Sequence, residues 1–333
     1  MRLLLRRLSF YVIAAWVALT ISFFLPRVMP GNPVQEAISR ATQSGVCNLE
    51  CVNAIRLELG FGVHTSIWVQ YLQFWGNLFH GDLGSSWTQG NQPVATLIAQ
   101  YLPWTIGLLG AATVISFVLG TLIGIVMGWL RGSWLDWLMP VATLFQAIPY
   151  FLLALVLTMF FGETAHMLHL LPSSGGYDVY TVAPGMNWPY LWSIVTHAVL
   201  PAATVVLASM AGFILGMRNQ MITTMDEDFV LVARAKGLPR RRVVWYAARN
   251  AMLPSVSNFS IAISLVVAGQ LLVELVFNYP GIGYHLFKAV EDLDYVLVQG
   301  IFLVIVVVVL VANLLADLVY VLIDPRARQE AAG

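Results

Sequence analysis

The chain of 333 residues is 59% hydrophobic and 10% charged, and its 17 Lys and Arg residues balance 17 Asp and Glu residues. The mean hydropathy is +0.78, whereas ordinary soluble domains are about half apolar and about a quarter charged. This composition excludes an ordinary soluble globular protein and indicates an integral membrane protein.

Stretches without charge mark the candidate membrane spans. A helix needs about 17–25 apolar residues to cross the hydrocarbon core of a bilayer. Asp, Glu, Lys and Arg are absent from stretches of at least that length at 8–26, 83–130, 137–162, 179–217, 250–273 and 295–316. The two longest stretches begin with polar or Gly- and Pro-rich sequence, so each holds one span and a leader. We therefore predict an all-α, polytopic membrane protein with six transmembrane helices.

The predicted helices cover roughly 9–29, 102–130, 137–161, 191–217, 257–277 and 297–322. They divide the chain into an N-terminal transmembrane helix at 1–30, an extracytoplasmic segment at 31–93, a transmembrane domain at 94–323 and a cytoplasmic tail at 324–333. Six spans place both termini on one side, and 13 of the 17 Lys and Arg residues collect there. Because cytoplasmic loops carry such an excess, we expect both termini in the cytoplasm.

The first predicted helix has features of a secretory signal, because Arg2, Arg6 and Arg7 precede an apolar run. Its 19 uncharged residues exceed the length of an ordinary signal core, and FFLPRVMPGNP offers no small-x-small cleavage site. We therefore expect a retained helix.

The extracytoplasmic segment holds both cysteines, Cys47 and Cys51. An oxidising exterior permits a disulfide, but this spacing on a regular helix makes the geometry awkward, so a bridge and two free thiols both stay open. Further on, WVQYLQFWGNLF has aromatic residues at near-helical spacing. It predicts either an amphipathic helix at the membrane surface or a small helical subdomain packed on the outer face.

Small residues recur at helical spacing in two spans. Gly120, Gly124 and Gly128 form a repeated small-xxx-small ridge in the second span, and Gly212 and Gly216 form another near the inner end of the fourth. Such ridges let helix backbones approach closely in membranes. We expect the first ridge to pack tightly within the bundle.

Two prolines, Pro149 and Pro201, fall inside the third and fourth spans. Neighbouring helices can satisfy the backbone carbonyls that a proline frees in a membrane. Kinks at these positions either line a pathway or simply fit the bundle.

Motifs for catalysis are absent from the sequence. Neither Lys236 nor Lys288 follows a glycine, so a P-loop for ATP is impossible, and neither HExxH nor GxSxG occurs. His166 and His169 either bind a metal or lie at the membrane interface facing water. We expect the interfacial position. We predict no metal, no cofactor and no enzymatic activity in this chain.

Two acidic residues keep a second class of transporter open. Charges inside a membrane are expensive and usually functional, and Glu274 and Asp317 lie near the ends of the fifth and sixth spans. A secondary transporter driven by an ion gradient through either residue is the main alternative. A membrane anchor or scaffold without a transport role is the third.

The longest predicted cytoplasmic loop, 218–256, contains the basic cluster ARAKGLPRRR at 233–242. Apolar residues recur at helical spacing before Gly237, which can end a helix, and Pro239 can start the next one. The three arginines that follow lie where the helix dipole disfavours cations. This placement favours an acidic or phosphate-bearing partner, and contact with anionic lipid is the alternative.

This loop resembles the cytoplasmic loop of binding-protein-dependent ABC importer permeases, whose signature is EAA, three residues, Gly, nine residues and I-x-L-P. Gly237 matches the glycine and Ala233 the second alanine, while Leu231 and Val232 replace the Glu and the first Ala. Leu253-Pro254 supplies the LP four residues later, and one extra helical turn would keep the same face.

The longer form with ARAKGL resembles the dipeptide and oligopeptide branch of that family. RLSF…LPRVMPGNPV, GNLFHGDLGSSW, LLVELVFNYPGIG, DYVLVQG and NLLADLVYVLIDPRAR are similar to the first of the two permeases in such systems, with Asn32 where Asp is usual. The resemblance covers nearly the whole chain. It implies a type I ABC importer transmembrane domain at 94–323, with an external segment after the first helix.

The resemblance also implies which residues carry the function. Those expected to couple to an ATPase are Asp228, Phe229, Val232, Ala233, Arg234, Ala235, Lys236, Gly237, Leu238, Arg240 and Arg241. The loop exit comprises Asn250, Leu253 and Pro254. After the fifth span, the Pro-Gly-x-Gly turn of NYPGIGYHLF and its flanking aromatics suggest an external gate at Glu274, Tyr279, Pro280, Gly281 and Gly283.

The implied partners are a second paralogous permease, one or two cytoplasmic ABC ATPases that hold ATP and Mg, an external solute-binding protein and membrane lipid, with no nucleic acid. The expected substrates are di- or oligopeptides. Oligosaccharides, nickel chelates and glutathione are alternatives within the family. The expected location is the bacterial plasma membrane.

Overall fold

The structure is a computed structural model that describes residues 2–28, 66–163, 168, 170–269 and 271–323. Cys47, Cys51, His166 and His169 lie outside the described residues, as does the tail at 324–333. The alternatives left open at the cysteines and the histidines therefore stay predictions.

The described part of the chain is mostly helical. Its helices are α1 (Arg2–Val28), α2 (Ile67–Phe79), α3 (Val94–Thr105), α4 (Ala111–Trp129), α5 (Leu138–Ala147), α6 (Tyr150–Phe161), α7 (Trp188–Met225), α8 (Asp228–Ala235), α9 (Arg240–Gly269), α10 (Leu271–Val276), α11 (Ile282–Glu291) and α12 (Tyr295–Ile323). A π-helical segment (Ile106–Gly110) joins α3 to α4, and a 3₁₀ turn (Trp134–Trp137) precedes α5. Strands β1 (Ser85–Ser86) and β2 (Gln92–Pro93) pair antiparallel.

The all-α prediction is confirmed. Three helices among the described residues are long and apolar enough to cross a membrane, namely Val94–Trp129, Trp188–Met225 and Tyr295–Leu314. The 3₁₀ turn and α5 meet the same test together with α6, as one bent pair. The predicted first span corresponds to a shorter apolar stretch of α1, Tyr11–Phe24, and α9 with α10 covers the predicted fifth span.

Several helices extend beyond the bounds predicted for the spans, because a helix need not stop where the apolar sequence stops. The helix that contains the predicted second span begins at Val94, eight residues before 102. α7 continues to Met225, and α9 begins at Arg240, so the predicted loop 218–256 consists mostly of the ends of two long helices. These extensions pack on each other, and packing stabilises a helix whether or not a membrane surrounds it.

The predicted third span, 137–161, is not one helix. α5 ends at Ala147, α6 starts at Tyr150, and the chain bends by 105° between the segment Trp134–Ala147 and α6. Ile148 is extended, with ψ 124°, because the ring of the following Pro149 disfavours the helical conformation of the residue before it. Pro201, by contrast, lies inside an unbroken α7.

The chain divides into two compact units, Met1–Pro103 with Ile282–Val307 and Trp104–Gly281 with Val308–Gly333. In the first unit, α2 packs on α1. The buried ring of Phe23 makes edge contact with Tyr71, their centroids lying 5.2 Å apart, and the Thr20 and Tyr71 hydroxyls are 2.8 Å apart. No residue of α2 is buried, and Trp68, Leu72 and Phe79 are 66%, 69% and 82% exposed, so the surface helix and the small helical subdomain both stay open.

A buried carboxylate, Asp294, organises the rest of the first unit. Its Oδ2 accepts hydrogen bonds from Ser86 Oγ at 2.5 Å and from Thr88 Oγ1 at 2.7 Å. Its Oδ1 accepts from the Leu297 amide at 3.0 Å, which caps the first turn of α12. Leu293, just before it, has φ +56°, a conformation that costs a β-carbon residue about 1–2 kcal/mol. Asp294 is fully buried, and its hydrogen bonds connect the segment around β1 and β2 to the start of α12.

In the second unit, the predicted glycine ridge of α4 lies directly on α7. An ideal Cβ on Gly120, Gly124 or Gly128 would come within 2.6–2.7 Å of the Cβ atoms of Phe213, Met217 and Met221, respectively. Real Cβ atoms do not approach so closely, so each glycine is required by the helix crossing. The backbones meet where these residues have no side chain, as small-residue ridges in membranes allow.

The second predicted ridge, Gly212 and Gly216, does not pack against a helix in this way. A Cβ on Gly216 would meet nothing within 4 Å, and one on Gly212 would lie 3.6 Å from Gln146 Nε2. Both glycines instead line a cavity. A row of glycines allows another helix to pack closely against it. Close packing results only where a neighbouring helix lies at that position.

Replacing Asp294 by alanine is expected to lower the free energy of unfolding by about 1–3 kcal/mol, because the buried hydroxyls of Ser86 and Thr88 lose their acceptor. Denaturant titration of the purified protein measures this. Asp82→Ala is the control, since Asp82 is exposed and accepts from the amide of Gly84 at 2.9 Å. Equal losses in the two variants would contradict the role of burial.

Replacing Gly124 by alanine is expected to cost about 1–3 kcal/mol, because the new methyl group forces α4 away from α7. Gly216→Ala is the matched control, and it is expected to be neutral or to stabilise by about 0.5–1 kcal/mol through helix propensity. Thermal unfolding of the two variants in the same detergent gives the comparison. A stable Gly124→Ala variant would show that the helices are not in tight contact.

Candidate functional site

The predicted coupling segment forms a short amphipathic helix, α8. Its inward side is buried through Val230 and Ala233, while Leu231 and Val232 are 53% and 50% exposed. Asp228 occupies the first turn, where a negative charge complements the helix dipole. The helix therefore presents apolar side chains outward from a firmly packed base.

That base is an apolar core built from three helices. Its buried members are Met217, Met221, Met225, Val230, Ala233, Val243, Ala247, Ala248 and Ala251, and they come from α7, α8 and α9. Trp129 at the end of α4 and Leu238 after α8 pack against it. The core holds α8 against the ends of the long helices.

Gly237 ends α8 in the conformation that the sequence predicts. Its φ is +72°, and its amide donates to the carbonyl of Arg234 at 2.9 Å. The next amide, of Leu238, donates to the carbonyl of Ala233 at 3.3 Å. These two bonds make a Schellman motif, in which a left-handed residue reverses the chain and satisfies the last carbonyls.

Two cations of the basic cluster lie over an aromatic ring. The guanidinium carbons of Arg234 and Arg240 are 5.9 and 5.3 Å from the centroid of the Trp129 ring, within the range of a cation–π interaction. The same residues line a groove of about 470 Å³. Arg131 beside it pairs with Asp226 at 3.2 Å, and because both are exposed this pair contributes little to stability.

Of the remaining predicted coupling residues, Phe229 and Ala235 belong to α8, and Lys236 and Arg241 follow it. Phe229, Ala235, Lys236 and Arg241 are exposed. The residues of the predicted loop exit, Asn250, Leu253 and Pro254, lie inside α9, which runs on without a break to Gly269. The side-chain amide of Asn250 donates to the carbonyl of Tyr246 at 3.1 Å, so it bonds within its own helix.

The predicted gate residues of the second unit lie together around a buried acid. Glu274 is fully buried, and its Oε1 accepts a hydrogen bond from Thr105 Oγ1 at 2.7 Å. The carboxyl group lies against the α-carbon of Gly281, where any side chain would collide with it. Gly283 falls in α11, in the other unit.

The turn after α10 is a second Schellman motif. Asn278 has φ +45°, and the amide of Tyr279 donates to the carbonyl of Glu274 at 2.8 Å. Burial, followed by the nearby charge of Glu274, raises the pKa of Tyr279 to about 12. The phenol is therefore neutral at physiological pH.

The loop after α6 packs on this turn. The amide of Gly175 donates to the carbonyl of Phe277 at 2.9 Å, and a Cβ on Gly176 would lie 2.8 Å from Pro280 Cγ. Trp104 lies beside Tyr279, with ring centroids 5.6 Å apart. We define Trp104, Thr105, Gly176, Glu274, Tyr279, Pro280 and Gly281 as the outer cluster.

Sequence reasoning missed Trp104, Thr105 and Gly176, which are distant in sequence from the turn. Asp317, the other acid named from the sequence, falls in α12 at a point where side chains are outside the described part of the structure. Among the described residues no group of three or more His, Cys, Asp or Glu side chains could hold a metal.

The sequence pattern of one family, described as binding-protein-dependent transport system inner membrane component, matches residues 120–329. This match covers the glycine ridge, α8, all of α12 and the outer cluster except Trp104 and Thr105. The chain belongs to this family. It is thus a permease of an ABC importer, and a secondary transporter is not favoured.

Several proteins that are similar to nearly the whole of this permease are named as transport proteins. A protein provisionally named as a peptide permease in Brucella suis biovar 1 (strain 1330) is 35% identical over 94% of both chains. A dipeptide transport system permease of Alkalihalophilus pseudofirmus is 30% identical over 92% of this chain and 93% of its own. One of Lactococcus lactis subsp. cremoris is 28% identical over 98% of both.

Replacing Gly237 by valine is expected to accelerate hydrogen exchange at the amides of residues 237 and 238 by about tenfold, because a β-branched residue at φ +72° costs about 1–2 kcal/mol. Gly237→Asn is the control, since asparagine tolerates this conformation. No atom lies within 4 Å of a Cβ here, so lack of space would not contribute. Equal exchange in both variants would contradict the role of backbone conformation.

Proposed function

We propose that the permease forms half of the translocation pathway for di- or oligopeptides, which an external solute-binding protein delivers. A second, paralogous permease completes the pathway. The names of the relatives support the peptide substrate, since proteins similar over more than nine-tenths of this chain are named for peptide or dipeptide transport. Family membership supports partner subunits in general.

In this proposal α8 docks on a cytoplasmic ATPase. The observation that carries it is the pair of exposed apolar residues, Leu231 and Val232, on a helix whose opposite side is fixed in a core. Exposed apolar residues on a rigid support are typical of a protein interface. A flexible loop could bind as well, but it would transmit force poorly.

The charges around α8 fit the same partner. Lys236 and Arg241 are exposed, and the stacking of Arg234 and Arg240 on Trp129 fixes two further cations beside the groove. Complementary acidic residues on an ATPase would meet them at the rim of the apolar contact, where charge gives specificity and a faster encounter. ATP and Mg would be held by that partner, and this chain would supply no cofactor site.

The outer cluster would close the pathway on the external side, with the termini and α8 in the cytoplasm. Glu274 is fully buried and accepts the Thr105 hydroxyl. Such an acid fits a fixed structural element of a closed gate better than a proton relay. Its contact with the α-carbon of Gly281 gives a physical reason for the glycine in NYPG.

Replacing both Leu231 and Val232 by aspartate is expected to reduce the recovery of ATPase subunits with the tagged permease by at least about tenfold, because charges would be buried in the interface. The measurement is affinity purification from native membranes in mild detergent, followed by quantitative mass spectrometry. Thr223→Asp, on an exposed position near the end of α7, is the control and is expected to keep the subunits.

Normal recovery of P-loop ATPases with the double variant would show that α8 is not the docking helix. Recovery of the unsubstituted permease without any ATPase would contradict the proposed importer as a whole. The two outcomes are distinguishable in one experiment.

A further inference from the structure

The second unit contains a cavity of about 420 Å³ at the break between α5 and α6. Residues of α4, α5, α6, α7 and α9 line it. Gly212 and Gly216 give the α7 wall little side-chain volume, and a Cβ on Gly216 would meet nothing within 4 Å. The space therefore exists because Pro149 turns the chain and because α7 has glycines opposite the turn.

The lining is polar but uncharged. Gln146 and Asn258 expose their side-chain carboxamides from α5 and α9. The hydroxyls of Tyr150 and Ser209 lie 3.2 Å apart on the α6 and α7 walls. Asp, Glu, Lys, Arg and His do not occur among the residues that form this lining in the described part of the chain.

The depth of these groups argues that they do not face lipid. Asn258 is eighteen residues beyond Arg240, which corresponds to about 27 Å along α9. Gln146 lies in the bent pair that has the length and apolarity of a membrane span. Polar side chains at membrane depth face protein or an aqueous cavity, because hydrocarbon offers no hydrogen bonds.

We infer that Gln146 and Asn258 form a contact site for the main chain of a translocating peptide, and that the uncharged lining lets the permease pass peptides whatever the charge of their side chains. A carboxamide both donates and accepts hydrogen bonds, and each peptide group has one donor and one acceptor to match it. This inference rests on the proposed function. It deepens that function by naming the part of the substrate that is recognised.

The same lining argues against two other substrate classes. Imidazole, thiolate or carboxylate groups would bind a nickel chelate best. A cationic side chain would bind an anionic tripeptide such as glutathione best. Neither kind of side chain is present among the lining residues that the structure describes. An oligosaccharide could also bond to carboxamides, and it is therefore included in the test.

The test uses the complete transporter, purified with its partner subunits and reconstituted in vesicles. The import rate is measured with the binding protein saturated by a labelled tripeptide, either Ala-Lys-Ala or Ala-Asp-Ala. Saturation removes the preference of the binding protein from the import rate. The unsubstituted transporter is expected to import both at rates within about twofold. Asn258→Asp is expected to favour Ala-Lys-Ala by at least about tenfold, because one unit of charge at a few ångströms has that effect at an effective dielectric constant of about 20.

Two further variants keep the test decisive. Gln146→Glu, from another wall of the cavity, is expected to shift the preference in the same direction, and it replaces Asn258→Asp if that variant does not assemble. Asn219→Asp makes the same chemical change at an exposed position of α7 outside the lining, and it is expected to keep the ratio near one. ATP hydrolysis stimulated by the loaded binding protein reports that each variant is assembled.

An unchanged import ratio in assembled Asn258→Asp and Gln146→Glu transporters would overturn the contact site and leave the peptide function standing. Import of maltotriose but of neither tripeptide by the unsubstituted transporter would overturn the proposed substrate class, and the contact site with it. A shift confined to the two lining variants would support both.

Discussion

The contact between α4 and α7 is the constraint on which the second unit depends. Gly120, Gly124 and Gly128 leave one side of the α4 backbone without side chains over about two and a half turns, and the β-carbons of Phe213, Met217 and Met221 lie against it. Lipid tails are as apolar as leucine, so membrane helices gain stability mainly from such close packing. Because each glycine faces one particular side chain, the contact fixes the axial register of the helices as well as their separation.

That register extends beyond the membrane span into the base of α8. Gly128 lies against Met221, and Met221 belongs to the core that buries Val230 and Ala233. An isolated helix of eight residues would not be stable in water. α8 is helical because this core holds one side of it and because the Schellman motif at Gly237 closes its end. The packing of α4 on α7 at Gly128 and Met221 therefore supports α8 through this core.

Local signals in the sequence predicted the elements, and long-range contacts decided the rest. Charge-free stretches indicated the spans, the glycine ridge indicated close packing, and Gly237 marked the end of α8, because each depends on neighbours within a few residues. The bond from Ser86 to Asp294 joins residues 208 positions apart, and that from Thr105 to Glu274 joins residues 169 apart. Neither composition nor local spacing indicates which distant residues form such hydrogen bonds. Pro149 signalled a kink, but its angle depends on the helices around it.

Met217 connects the α8 base with the proposed pathway. Its side chain is fully buried in the core beneath α8, it lies against Gly124, and it also lines the uncharged cavity. Ser255 on α9 contacts its sulfur at 3.4 Å. Methionine is flexible and polarisable, so it can keep contact while neighbouring helices shift. In the proposed importer, a displacement of α8 would therefore reach the cavity wall through α7 and α9 directly, without any intervening loop. A short path of this kind suits a machine in which an ATPase at one end must change the shape of a pathway at the other.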